Sequence, residues 1–258
     1  MYIYLHSVSF HGGRYATLWN QIDIRLNSLG MHGRKYRISD VDHNIFPILT
    51  EEIKKGAHTV VAVGDDNLFI RLVEAAAPFE NLTVAYLPLD NSYLSKILGI
   101  PPQDLACDVL SARIVEKFNL LCVNKNNFIF RPLELKMDDL KLADSEVNWV
   151  LKSFEPDYHL AIGADWRLWT PLYDEFLKQA SVNLDAEKVN VLLFKNDGKS
   201  WFGREAEFDW SFFQADKFYL KKNEGEALSL TPSCVTKLAS LTVAKQPVRI
   251  VVGKNRMF

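Results

Sequence analysis

The sequence predicts an α/β N-terminal domain built on a parallel sheet, followed by a β-rich, sandwich-like C-terminal domain. Three observations carry this. Apolar strand runs alternate strictly with segments of helical spacing over about the first ninety residues, the pattern of a parallel sheet with helices on its faces. Thr59-Val60-Val61-Ala62-Val63 is continuously apolar, as a strand covered on both faces requires. After Leu120 the texture changes to short alternating runs and hairpin signals. A chain of 258 residues is long enough for two domains, expected at 1–120 and 121–258.

Tyr2 to Val8 is the first strand, broken by His11-Gly12-Gly13. Ala16 to Leu29 then sets Leu18, Ile22, Leu26 and Leu29 at helical spacing, and Gly30 ends the helix. Lys35 to Ser39 is a short second strand, and Ile45 to Lys55 returns to helical spacing before Gly56, a typical stop. Thr59 to Val63 is the third strand, Phe69, Leu72, Val73 and Ala76 mark the next helix, and Leu82 to Leu87 is the fourth strand. Helices over Ser92 to Leu98 and Asp104 to Lys117 close this half.

In the second half, Cys122 to Phe130 reads as a hairpin around a polar turn. Val189 to Phe194 and Trp201-Phe202 read as another around Asn196-Asp197-Gly198, whose Asp-Gly suits a type I′ turn. Phe208 to Phe212, Leu228 to Leu230 and Val248 to Val251 alternate as strands. The last of these either completes the second domain or packs back on the first. Two helical stretches, Glu146 to Phe154 and Leu172 to Ala180, interrupt the strands.

Hydrophobic residues make up 48% and charged residues 24%, so the chain can build full cores without disulfides or metal. A net charge of −2 offers no broad positive field, and nucleic acid is not an expected partner. Cys107, Cys122 and Cys234 are far apart and form no Cys-x-x-Cys, which indicates neither a disulfide framework nor a zinc site and fits a reducing compartment. The six histidines never fall at metal-ligand spacing. Met-Tyr-Ile-Tyr-Leu-His lacks the basic flank of a signal peptide, and no run approaches the roughly 20 apolar residues of a membrane span. The expected location is the cytoplasm, with contact at a membrane surface left open.

In open parallel sheets, ligands bind at the carboxyl ends of the strands, which singles out Val63-Gly64-Asp65-Asp66-Asn67. Gly64 permits a tight turn, the helix beginning near Asn67 offers free amides to an anion, and Asp65 and Asp66 offer oxygens to magnesium. The commoner use of Asp66 or Asn67 at this place is to cap the helix. Leu87-Pro88-Leu89-Asp90-Asn91-Ser92 is a second strand-to-helix turn on the same sheet edge, and Asp90 or Ser92 is equally suited to capping. Two such turns side by side make a cleft.

Taken with Leu98-Gly99-Ile100-Pro101, these two turns resemble the diacylglycerol kinase catalytic-domain family, which includes bacterial lipid kinases and has NAD kinase as its relative by fold. The family's Gly-Gly-Asp-Gly-Thr after the third strand aligns without gaps on Gly64 to Leu68. Gly64 falls on the first glycine and Asp66 on the aspartate, while Asp65, Asn67 and Leu68 depart. The next signature, Pro-Leu-Gly-Thr-Gly-Asn-Asp before Leu-Gly-Ile-Pro, is met by Pro88, Leu89, Asn91 or Ser92, and Leu98 to Pro101, with one residue deleted and the glycines missing. Ala106-Cys107-Asp108, the Asn124 hairpin and the terminal Val248 to Val252 follow the family's layout; Pro132 to Glu187 carries least of it.

The resemblance implies an NAD kinase/diacylglycerol kinase-like fold that binds ATP and magnesium and phosphorylates a diacylglycerol-like lipid at a membrane surface. It assigns catalysis to Asp66, nucleotide binding to Gly64, Asp65, Asn67, Asp90, Asn91 and Ser92, and magnesium to Asp65 and Asp66. The departures imply an alternative, a non-catalytic pseudokinase of the same fold that binds a nucleotide or other ligand. Asp65 and Asn67 add side chains where the family's backbone approaches phosphate, and Asp65 adds a negative charge that a triphosphate tolerates only with a cation between. The family's second-domain Asp-Gly-Glu has no counterpart at Pro232-Ser233-Cys234, and Glu224-Gly225-Glu226, about eight residues early, reads as a hairpin turn.

Two other features carry less. Trp166, Trp169, Tyr173, Phe176 and Leu177 form an apolar stripe able to meet lipid, though a core-facing helix is the commoner cause. Lys254 and Arg256 suit phosphate, or a solvated tail.

Overall fold

The computed structural model describes residues 1–7, 13–39, 45–137, 140–144, 150–152, 158–168, 185–195, 210–222, 226–231 and 234–258. It divides into two compact units, Met1–Phe118 with Gln246–Phe258, and Asn119–Lys245.

The first unit runs β1 (Tyr2–Ser7), α1 (Arg14–Ser28), β2 (Gly33–Ile38), α2 (Ile45–Lys54), β3 (Thr59–Gly64), α3 (Asp66–Ala76), β4 (Thr83–Pro88), α4 (Tyr93–Ile97), α5 (Leu105–Ala112) and β5 (Val115–Phe118). Its sheet has the order β2-β1-β3-β4-β18-β5, where β18 (Val248–Val251) comes from the end of the chain. The pairs among β1 to β4 are parallel, β18 lies parallel to β4, and β5 runs antiparallel to β18. Every residue of β3 and β4 is buried, which explains why those runs carry no polar alternation. The α3 stripe Leu68, Phe69, Leu72, Val73 and Ala76 packs inward at helical spacing, and α3 lies against both strands and α2.

The chain's last residues fix the far end of α4. Gly99 takes φ +67°, and a Cβ there would stand 2.5 Å from the Arg256 amide nitrogen. Through that close approach Gly253 N donates to Leu98 O (2.8 Å) and Met257 N to Ile97 O (3.0 Å). Arg256 pairs with Glu116 at 3.0 Å and Phe258 meets Phe118 edge to face. The terminal residues are thus a docked segment, not the solvated tail that Arg256 suggested, and Leu98-Gly99-Ile100 is the place it docks.

The second unit holds β6 (Leu121–Val123), β7 (Asn127–Ile129), β8 (Leu133–Lys136), β9 (Leu140–Asp144), β10 (Val150–Lys152), β11 (Tyr158–Gly163), β12 (Val189–Lys195), β13 (Trp210–Ala215), β14 (Lys217–Lys222), β15 (Leu228–Thr231), β16 (Cys234–Thr236) and β17 (Ala239–Val243). A six-stranded sheet, β10-β9-β14-β17-β6-β7, and a four-stranded sheet, β13-β12-β11-β8, are antiparallel throughout. They share one core, with Val123, Leu142, Phe218 and Leu241 from the first sheet and Leu160, Ile162, Val189 and Val191 from the second. That is the sandwich the sequence predicts. The β6–β7 turn sets Asn124 at φ 50° and Lys125 at φ 71°, the left-handed pair a tight hairpin needs. Asn124 also accepts from Ser240 N and donates to Leu238 O.

Two expectations are corrected. The helix expected over Asp104 to Lys117 ends at Ala112, where Arg113 turns left-handed at φ 52° and Val115–Phe118 becomes an edge strand. Within the helix expected over Glu146 to Phe154, the described residues Val150–Lys152 form β10 instead, whose backbone pairs with β9, so cross-strand bonding overrides local spacing there. Leu172 to Ala180, the Asn196-Asp197-Gly198 turn with Trp201-Phe202, Glu224-Gly225, Pro232-Ser233 and the stripe from Trp169 to Leu177 lie outside the described residues. Among those described, no helix is long and apolar enough to cross a membrane.

Candidate functional site

Strands β3 and β4 end in register, Gly64 beside Pro88, so the two turns that follow them lie next to each other at the carboxyl edge of the sheet. Gly64 closes β3 at φ 153°, backbone in which a Cβ would be strained. Its carbonyl accepts from Leu89 N at 3.1 Å, tying one turn to the other. Between them lies a pocket of about 280 Å³, lined by Gly64, Asp65, Asp66, Asn67, Tyr86, Leu89, Asp90, Asn91 and Ser92. All seven residues that the sequence assigns to catalysis, cofactor or metal line this one pocket. Tyr86 and Leu89 join them.

Helix α3 begins at Asp66, and its N-cap is Asp65, one residue before the expected Asp66 or Asn67. Asp65 Oδ1 accepts from Leu68 N at 2.9 Å, so a carboxylate of the chain itself already sits on the first turn of that helix. Asp66 spans the pocket floor instead. Its Oδ1 accepts from the Tyr86 hydroxyl at 3.0 Å and its Oδ2 from Leu94 N, in the first turn of α4, at 3.3 Å. Ser92 caps α4 through a reciprocal box, accepting from Ser95 N while Ser95 Oγ accepts from Ser92 N. Capping is therefore a role of Asp65 and Ser92, and bracing is the role of Asp66.

Asn67, Asp90 and Asn91 are exposed at the rim. Asp90 Oδ2 accepts from the Tyr15 hydroxyl at 3.5 Å, which brings the start of α1 beside the pocket. Tyr86 is 2% exposed and its ring stacks on Phe69 with centroids 4.6 Å apart. Burial pushes its phenol well above the ordinary value, and the neighbouring Asp66 charge adds to that, so it acts as a donor at neutral pH. Sequence reasoning missed Tyr86 because it sits in an apolar strand run. The signal was there in its hydroxyl, since a buried phenol needs a hydrogen-bond partner.

Magnesium is implied by the resemblance, and the donor set is a limited fit. Asp65 and Asp66 supply hard carboxylate oxygens, but three of these already accept a hydrogen bond from the protein. Among the described residues no group of three or more His, Cys, Asp or Glu is placed to hold a metal ion. Magnesium commonly uses one or two carboxylates plus the phosphates of its ligand, so this pair suits a cation that arrives with phosphate.

The second unit contains a further buried polar group. Asp165, 2% exposed, accepts from Asn119 N, Arg167 N and the Arg167 guanidinium. Asn190, fully buried, donates to three carbonyls and accepts from Gln214. These satisfied networks hold the loops around Ala164 and Asp185 in place.

No protein-family model matches this chain, and no curated protein sequence matches it. Solved structures do. A diacylglycerol kinase from Bacillus anthracis str. Sterne superposes with a TM-score of 0.69 at 12% identity, covering 98% of this chain and 97% of its own. An NAD kinase from Archaeoglobus fulgidus in complex with ATP gives 0.58 at 10% identity, covering 99% and 95%. Yeast NADH kinase complexed with NADH gives 0.55 at 10% identity, covering 99% and 84%. The chain has the diacylglycerol kinase/NAD kinase fold from end to end.

Proposed function

We propose that this kinase-fold protein binds a nucleotide in the pocket between Gly64–Asn67 and Asp90–Ser92 and does not transfer its phosphate. The observation that carries the second half is the commitment of Asp66. A residue acting on a substrate hydroxyl or a magnesium-bound phosphate needs carboxylate oxygens turned to the ligand. Here each Asp66 oxygen gives one of its two acceptor sites to the protein, one to Tyr86 and one to Leu94 N, so the carboxylate is oriented by the fold and not by a ligand. Asp65 commits one oxygen, Oδ1, to Leu68 N. Transfer of this kind depends on positioning and charge neutralisation, so altered turn residues abolish it while leaving the fold intact.

Support for a nucleotide comes from the pocket's place at the carboxyl edge of the sheet, from the strained Gly64 turn, and from fold neighbours crystallised with ATP and NADH. Asn67, Asn91 and Ser92 supply amide and hydroxyl groups for a ribose or base. Magnesium, when bound, would neutralise phosphate charge beside Asp65 and Asp66.

A second reading is an active lipid kinase that transfers the terminal phosphate of ATP to a diacylglycerol-like hydroxyl at a membrane surface. Gly64 and Asp66, at the family's positions, favour it, as does a fold neighbour described as a diacylglycerol kinase. The test is incubation of purified protein with labelled ATP, magnesium and mixed lipid extracts, repeated with Asp66→Asn. No label in lipid from either protein is the expected result. Label from the parent that vanishes with Asp66→Asn establishes the second reading instead.

A further inference from the structure

The departure at position 65 has a structural consequence beyond added charge. A helix N-terminus attracts phosphate because its first amides lack partners and its dipole favours an anion. In α3 one of those amides is taken. The Asp65 carboxylate accepts from Leu68 N at 2.9 Å, from within the pocket wall, and it carries the charge a phosphate oxygen would bring. A glycine at this position, as in the signature the turn resembles, has no side chain to do so. Asp66 on the floor and Asp90 on the rim leave three carboxylates around the same space of about 280 Å³.

We propose that Asp65 is a built-in anion that determines specificity: it occupies one first-turn amide of α3, places its own charge against the pocket, and makes phosphate binding there conditional on a divalent cation. Two costs act together on a metal-free polyphosphate. It must displace Asp65 from Leu68 N or do without that donor, and it must approach like charges in a partly desolvated space. A cation would offset the second cost, and Asp65 and Asp66 are the residues that would hold it, a pair of acids that makes no cage of its own. The inference rests on the reading of the pocket as a nucleotide site.

The experiment uses the full chain, titrated calorimetrically with inorganic pyrophosphate in chelator and then with magnesium pyrophosphate. The variants are Asp65→Gly and Asp90→Asn. Glycine is a tolerable N-cap, so Asp65→Gly remains folded, as its melting curve will check. Without metal, the parent is expected to show no binding and Asp65→Gly to bind at least tenfold tighter than the parent's limit. Asp90→Asn, which removes one of the three charges but frees no amide, is expected to gain less than Asp65→Gly. Metal-free binding by the parent equal to that of Asp65→Gly overturns the proposal. An equal gain by Asp90→Asn overturns it too, by showing that bulk charge is the whole effect. If magnesium ATP fails to bind the parent while Asp65→Gly gains metal-free pyrophosphate, the nucleotide reading falls and the role of Asp65 stands.

Discussion

The Tyr86 hydroxyl lies 3.0 Å from Asp66 Oδ1, joining the middle of one strand to the first residue of the helix that follows its neighbour. With Leu94 N on the other oxygen, Asp66 ties β4, α3 and the first turn of α4 together. Asp66 is therefore the brace of its own pocket.

Removing that brace has a defined cost. Tyr86→Phe keeps the stacking on Phe69 and deletes one hydrogen bond to a charged acceptor, so unfolding free energy should fall by about 1.5 kcal/mol in urea titrations. The sign of the pH effect follows from the raised phenol. An unfolded tyrosine titrates near about pH 10, and the buried Tyr86 titrates higher. Below that pH the contribution is fully present; above it the unfolded chain releases a proton that the folded chain keeps, and stability declines. The parent should lose stability above about pH 10 more steeply than Tyr86→Phe.

Asp65→Ala removes the α3 cap and should destabilise the protein by about 1 kcal/mol, read as a lower melting temperature, whereas Asp65→Gly should lose only a few tenths. A larger loss for glycine than for alanine would contradict the capping role.

Much of this was legible in the sequence, and the reasons are particular. The run Thr59–Val63 announced a doubly covered strand because a parallel strand buried on both faces has no polar side to display. Gly56 at φ 88° marked the end of α2, a conformation that side chains resist. Arg113 takes a left-handed conformation without being glycine, so the end of α5 carries no signal in the sequence and helical spacing runs on into β5. Strand β10 exists through its pairing with β9, a partner that local spacing cannot reveal. Within the site, the pocket residues were legible from two turns at strand ends. The division of labour between Asp65 and Asp66 was not, because which of two adjacent acids caps a helix depends on where its first turn starts.

Gly99 should tolerate no side chain. Gly99→Ala imposes φ +67° on an L-residue and sets a Cβ against the backbone of Arg256, so the terminal segment must shift. Stability should fall by about 1–3 kcal/mol, and residues 253–258 should become more susceptible to limited proteolysis.

The three cysteines are free and buried, and burial pushes the Cys107 thiol up to about 12. At neutral pH the folded protein should react slowly with a disulfide reagent, and three thiols should appear on denaturation. Rapid reaction of a thiol in the native protein would show that the cores holding them open readily.

On the proposed reading, the pocket between the β3–α3 and β4–α4 turns takes a nucleotide together with magnesium. Thermal unfolding of the full chain with and without saturating magnesium ATP tests it most directly, because a ligand bound only by the folded state raises the melting temperature. A rise with magnesium ATP that is absent with ATP in chelator is the expected result. An unchanged melting temperature under both conditions would contradict it.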